Sequence, residues 1–173
     1  MTPGSPLPAP AGSPYRIAFV CLGNICRSPM ADVILSSLLD DAGLADKVEV
    51  ASCGTGDWHL GQPMDRRAAA QLLAEGYDAS AHRAQQFDPS WLEHDLVLAM
   101  DAKNLAEITD GQGAGDRVRM FRSFDPLVAG SADPADLDVP DPYYGGDDRF
   151  VEVIRIVERT CRSILTELEK LDL

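Results

Sequence analysis

The sequence predicts an α/β fold: one domain on a four-stranded parallel sheet with helices on both faces. Three observations carry this. Short apolar runs alternate with segments of helical periodicity in the order β-α-β-α-β-α-β-α, which implies parallel strands joined by crossover helices. Runs such as YRIAFV and DLVLAM are apolar throughout, as strands covered on both faces are. The length, 173 residues, suits one core, and no internal repeat marks a second domain.

The elements follow in order. The opening MTPGSPLPAPAGSP is uncharged and rich in Pro, Gly, Ala and Ser. It is expected to be a disordered tail over 1–14, leaving 15–173 as the domain. Tyr15 to Val20 reads as the first strand, followed by the loop CLGNICR. Ser28 and Pro29 look like the N-cap and first residue of a helix. Ala31, Ile34, Leu35, Leu38, Leu39 and Ala42 give that helix its apolar face, and Gly43 ends it. Lys47 to Ser52 reads as the second strand, then a Gly-rich loop, then a helix over Met64 to Glu75. Pro89 to Glu93 reads as a short helix and Asp95 to Met100 as the third strand. Ala102 to Ile108 reads as helix and Arg117 to Phe121 as the fourth strand. A loop rich in Asp and Pro leads to a last helix with Phe150, Ile154, Val157, Cys161, Ile164, Leu165 and Leu168 on one face.

Composition excludes some functions. The formal net charge is −13, which argues against a sequence-independent nucleic-acid binder or an anionic-membrane binder. No apolar run is long enough to span a membrane, and the N-terminus lacks the charged and apolar regions of a secretory signal. A cytoplasmic, reducing setting is therefore expected, although export without a signal peptide stays open. There, the four cysteines, Cys21, Cys26, Cys53 and Cys161, are more often free, catalytic or metal-bound than disulfide-linked.

The loop after the first strand concentrates the chemistry. In an open parallel sheet, ligands bind beyond the carboxyl ends of the strands. A loop between such an end and a helix N-terminus turns several backbone N–H groups inward and, with the helix dipole, makes an anion site. Gly23 and Asn24 permit the backbone angles this requires. Arg27 adds a planar fork for two phosphate oxygens. The same surroundings favour the thiolate of a cysteine at the base of the loop, where Cys21 stands. The combination suggests a sulfur nucleophile beneath a phosphate cradle. A nucleotide-binding phosphate loop would need a Lys-Ser/Thr ending that is absent here. A zinc site would need a second ligand pair, whereas Cys53 and Cys161 are isolated and His59, His82 and His94 show no paired spacing. No metal or other cofactor is expected.

CLGNICRS fits the C-x5-R-S/T signature of cysteine phosphatases. With NICRSPMA at the start of the fold, GTGDWH after strand two, HRAQQF in the middle and DPYYGG before the last helix, the chain resembles the low-molecular-weight protein tyrosine phosphatases. It looks closest to their actinobacterial branch, and the resemblance runs from Tyr15 to the last helix. It implies a flavodoxin-like or Rossmann-like sheet, in agreement with the independent reading.

The resemblance also assigns roles. Cys21 is the nucleophile and Arg27 the phosphate clamp. Leu22, Gly23, Asn24, Ile25, Cys26 and Ser28 belong to the phosphate loop. Four aspartates, Asp88, Asp125, Asp133 and Asp141, precede a proline, and local sequence does not separate them. Resemblance selects Asp141, in DPYY, as general acid and then base. Tyr143 and Tyr144 are implied walls of the substrate pocket, with Trp58 a candidate for the opposite rim. Asn24, Ser28, Ser52 and His82 match positions that support the loop by hydrogen bonds. The family usually carries Ala where Cys53 stands. Cys26 matches a cysteine that can bridge to the nucleophile under oxidation.

The implied activity is hydrolysis of phosphotyrosine in proteins without metal, with phosphate or vanadate as inhibitors and a monomeric state common in the family. An arsenate reductase would need further cysteines in mid-chain, and none lies between Ala81 and Met120. Arginine phosphatases of related type carry Thr where this chain has Ile25, so Ile25 and the paired tyrosines favour an aromatic substrate. Intact Cys21, Arg27 and Asp141 argue against a silent phosphate-binding module.

Overall fold

The computed structural model describes residues 6–110 and 115–173. Four strands form one parallel sheet in the order β2-β1-β3-β4: β1 (Tyr15–Cys21), β2 (Val48–Gly54), β3 (Leu96–Ala99) and β4 (Val118–Met120). Four α-helices alternate with them: α1 (Arg27–Asp41), α2 (Arg66–Ala74), α3 (Ala102–Thr109) and α4 (Asp147–Glu169). The chain turns from β1 to β2 on one side and to β3 on the other. The carboxyl end of β1 is thus a topological switch point, where open sheets of this kind hold ligands.

The all-apolar runs are explained by burial on both faces. Ile17, Phe19, Leu96 and Leu98 point into the larger core with α1 and α4, where Phe19 meets Phe121 edge to face at 5.5 Å. Ala18, Val20, Cys53, Val97 and Ala99 point to the other face, packed with Ile108 of α3.

Two expectations are corrected. Helix α1 begins at Arg27 with Cys26 as N-cap residue, so Ser28 is inside the first turn and does not cap it. Helix α4 begins at Asp147, directly after Gly146, where the loop is expected to end, and Asp147 and Asp148 favour the positive end of the helix dipole. The loop rich in Asp and Pro holds two short 3-10 helices, Phe121–Phe124 and Pro134–Leu137.

Part of the segment expected to be a disordered tail is described, and it makes contacts with the sheet. Leu7 is buried, Pro8 O accepts a hydrogen bond from the Tyr15 hydroxyl at 3.0 Å, and Ala11 N donates to Asp95 Oδ1 at 2.8 Å. One leucine and a few backbone groups suffice to hold it, because the amino ends of β1, β3 and β4 offer partners. Residues 1–5 of that expectation lie outside the described residues.

Candidate active site

Strand β1 ends at Cys21, and the chain then closes a tight loop before α1. Asn24 takes φ +56°, the left-handed region that Asn tolerates better than most residues. Its carboxamide fixes the loop from below. Asn24 Nδ2 donates to Ser28 Oγ (2.8 Å) and Ser52 Oγ (2.9 Å), while Oδ1 accepts from Gln85 N (2.8 Å). Asn24 O lies 2.7 Å from His82 Nε2. A carbonyl only accepts, so that nitrogen carries the proton. Burial lowers the His82 pKa, partly offset by this hydrogen bond, so the neutral ring is favoured. The sulfur of Cys21 is 2.9 Å from Ser28 Oγ, and Asn24 N donates to it at 3.3 Å.

Arg27, the first residue of α1, is buried beside this loop. Its Nη1 donates to Asp101 Oδ2 (2.6 Å) and Val139 O (3.1 Å), and its Nη2 lies 3.5 Å from Asp141 Oδ2. Burial disfavours the charge, but Cys21, Asp101 and Asp141 outweigh it and raise the Arg27 pKa.

The four Asp-Pro aspartates, inseparable in sequence, have four distinct surroundings. Asp88 and Asp133 cap 3-10 helices by accepting from Ser90 N and Ala135 N. Asp125 is fully buried and paired with Arg159 and Arg122. Asp141 alone of the four faces Arg27 and lines the pocket above Cys21. That pocket has a volume of about 290 Å³. Cys21, Leu22, Gly23, Ile25, Cys26 and Arg27 form its floor, and Trp58, His59, Asp141, Tyr143 and Tyr144 its walls and rim. Tyr144 stands edge-on to Tyr143 at 5.0 Å and is 91% exposed. The Trp58 ring lies over Gly56, where any Cβ would collide with it, and is 66% exposed.

Comparison with known proteins gives the family. The family model described as low molecular weight phosphotyrosine protein phosphatase matches residues 16–172. The chain belongs to that family. A low molecular weight protein-tyrosine-phosphatase of Streptomyces coelicolor is 45% identical over 160 residues, covering 90% of this chain and 94% of the relative. The low molecular weight protein-tyrosine phosphatase A of Mycobacterium tuberculosis is 47% identical over 146 residues, covering 84% and 86%. Among solved structures, YfkJ from Bacillus subtilis superposes with a TM-score of 0.80 at 34% identity, covering 92% and 98%. The YwlE arginine phosphatase also superposes, at 0.76 and 27% identity, covering 90% and 96%.

In this low-molecular-weight phosphatase, all the site residues expected from sequence surround one pocket or support its floor. The four cysteines are free and buried. Cys26 is in the pocket floor, where burial, Asp65 and Cys21 all push its thiol pKa up. Cys53 packs in the core on the sheet face opposite Cys21. Among the described residues, no group of three His, Cys, Asp or Glu is placed to hold a metal ion, and no helix is long and apolar enough to cross a membrane. Sequence reasoning missed Asp101, His59 and Gly54. Asp101 had a signal: it directly follows the third buried run, at the same edge of the sheet as Cys21. His59 lies within the quoted GTGDWH, beside Trp58. Gly54 had none, because its constraint comes from residues thirty positions earlier.

Proposed function

We propose that this phosphatase hydrolyses phosphotyrosine in proteins through a cysteinyl-phosphate intermediate. The convergence of Cys21, Arg27 and Asp141 on one aromatic-walled pocket supports the reading. In the first step the Cys21 sulfur attacks phosphorus, the S–P bond forms, and the bond to the tyrosyl oxygen breaks. Arg27 and the loop N–H groups stabilise the equatorial oxygens. Asp141 gives its proton to the leaving oxygen, which would otherwise depart as a phenolate of pKa about 10. In the second step Asp141 takes a proton from water, the water oxygen attacks phosphorus, and the S–P bond breaks. Ser28, at 2.9 Å, donates to the departing sulfur. The products are tyrosine and inorganic phosphate.

Tyr143 and Trp58 hold the phenyl ring, and Tyr144 extends the rim toward the rest of the substrate. Asn24, Ser52 and His82 keep the loop in shape. Phosphate and vanadate compete for the same cradle. The chemistry as written uses no metal or cofactor, and the protein is read as a cytoplasmic monomer that binds neither nucleic acid nor membrane. Hydrolysis of phosphoarginine is the second reading, favoured by the fold shared with an arginine phosphatase. Ile25 in the pocket floor and the paired tyrosines weigh toward an aromatic ring.

The deciding experiment measures turnover of phosphotyrosine, phosphoserine and phosphoarginine peptides side by side, with chelator present. Phosphotyrosine should be preferred by at least about 100-fold, since the ring and its contacts are absent from the others. Cys21→Ser should abolish turnover while retaining phosphate binding. Preference for phosphoarginine, or a Cys21→Ser variant near wild-type activity, would overturn the reading.

A further inference from the structure

Arg67 breaks a local rule. It is the second residue of α2, where the positive end of the helix dipole disfavours a cation, and Arg66 stands beside it. A residue that goes against its local setting has its reason elsewhere in the fold. Its guanidinium spans two loops. On one side, Nε and Nη2 donate to the two oxygens of Asp65 at 3.3 and 3.2 Å. On the other, Nη2 donates to Tyr143 O at 2.8 Å and Nη1 to Gly145 O at 3.1 Å. The plane also lies near two rings, 5.6 Å from the Tyr143 centroid and 4.7 Å from that of Phe150.

Asp65 in turn is bound to the phosphate loop, since its backbone N donates to Ile25 O at 2.9 Å. Its carboxylate also caps α2, accepting from Arg67 N and Ala68 N. A continuous bridge therefore runs from Ile25 through Asp65 and Arg67 to the loop of Asp141. The upstream half of that loop has other anchors: Val139 N donates to Met100 O, and Arg122 Nη1 donates to Asp138 O. Among the described residues, the hydrogen bonds tying the Tyr143 and Gly145 carbonyls to another element both come from Arg67. Asp141 is coupled to this half, because its Oδ1 accepts from Tyr143 N at 3.1 Å.

We propose that Arg67, held by Asp65, is a positioning residue for the general acid: it sets the gap between the phosphate loop and Asp141 and fixes Tyr143 against the pocket. This rests on Asp141 being the acid. Proton transfer needs heavy atoms within hydrogen-bond reach, so a loop free to move by an ångström loses much of the acid's effect. Burial pushes the Asp65 carboxyl up, but its bonds to Arg67 and the helix N–H groups outweigh this and hold it below the usual range. The bridge is therefore charged, and intact, at neutral pH.

The test compares kcat/KM on phosphotyrosine, a poor leaving group, with that on p-nitrophenyl phosphate, a good one. Arg67→Met keeps the stem packed and removes the donors. It should lose about 10-fold on phosphotyrosine and under about 3-fold on the nitrophenyl ester, within the 100-fold or more that a general acid supplies. Inhibition by inorganic phosphate should stay within about 2-fold, because the cradle is untouched. Arg67→Lys keeps the charge without the fork and should show the same leaving-group bias at smaller size; it carries the test if the Met variant does not fold. Equal losses on both esters, or lost phosphate affinity, would overturn the proposal. Asp141→Asn provides the reference. If it shows no leaving-group bias, the acid assignment has failed; if it does and neither Arg67 variant does, only the bridge has failed.

Discussion

Asn24 and Gly54 show how the shape of the loop after β1 is held at single positions. Asn24 takes the left-handed conformation and uses both ends of its carboxamide, so neither a glycine nor an aspartate replaces it. That need was visible in the sequence, because Gly-Asn between a strand and a helix is turn chemistry. Gly54 was not visible. A Cβ there would lie 2.8 Å from Leu22 O and 3.0 Å from Asn24 N, both backbone atoms of the loop crossing above it. Gly54→Ala must therefore displace the loop. Displacement of this order is expected to lower kcat/KM by about 10- to 100-fold and to weaken phosphate inhibition in parallel. Gly130, whose added Cβ would meet nothing within 4 Å, gives the control: Gly130→Ala should change stability by no more than about 0.5 kcal/mol. Assays of the two variants together would refute the close-approach argument if Gly54→Ala kept full activity.

The strands were legible as elements because burial on both sheet faces demands unbroken apolar runs, and little else in a chain of this composition produces them. The long loop before α4 was legible only as Asp- and Pro-rich, since its order comes from partners far away in sequence. Asp125 is the clearest case. It looked like a rival for the acid, yet it ties α4 to the 3-10 helix after β4. Arg159 donates to its two oxygens at 2.7 and 2.8 Å, Arg122 Nε donates at 3.0 Å, and Leu127 N at 3.1 Å. Burial pushes the Asp125 carboxyl up, but these donors outweigh it and hold it below its ordinary value. A depressed folded pKa adds stability that is present above the unfolded value, about 3.9, and is lost as pH falls through the folded one. Removing one partner of a buried pair leaves the others uncompensated, so Asp125→Asn should cost about 3 kcal/mol at pH 7. In urea titrations the gap from wild type should be similar at pH 7 and pH 5 and shrink below about pH 3.9. A gap independent of pH down to acid unfolding would show that the ion pair is not its source.

Taken as a whole, the molecule separates its chemistry from part of its stability along the strand direction. Cys21, Asp101 and Gly54 stand at the carboxyl ends of β1, β3 and β2. There Arg27 lines the pocket, on a chain of net charge −13. The amino ends carry the N-terminal segment. Arg119 donates to Pro6 O at 3.0 Å, Tyr15 to Pro8 O and Ala11 to Asp95, with Leu7 buried between. The Asp95 carboxylate collects Ala11 N, Arg16 N at 2.8 Å and Arg117 at 3.4 Å, so the segment closes a network already anchored in the sheet. This was hidden in the sequence because a single Leu among prolines has no periodicity. Deleting residues 1–9 removes the burial of Leu7, the Pro8 acceptor for Tyr15 and one acceptor of Arg119, which keeps its bonds to Asp116. Ordering of the segment offsets part of that, leaving a net loss of about 1–2 kcal/mol. For a chain of this length the melting temperature should fall by about 3–6 °C. The pocket lies at the opposite ends of the strands, so kcat/KM should stay within about 2-fold of the full chain. Calorimetry and aryl-phosphate kinetics on the truncated protein decide the matter. An unchanged melting temperature would mean the segment holds nothing together, and a parallel loss of activity would mean the two ends of the sheet are coupled.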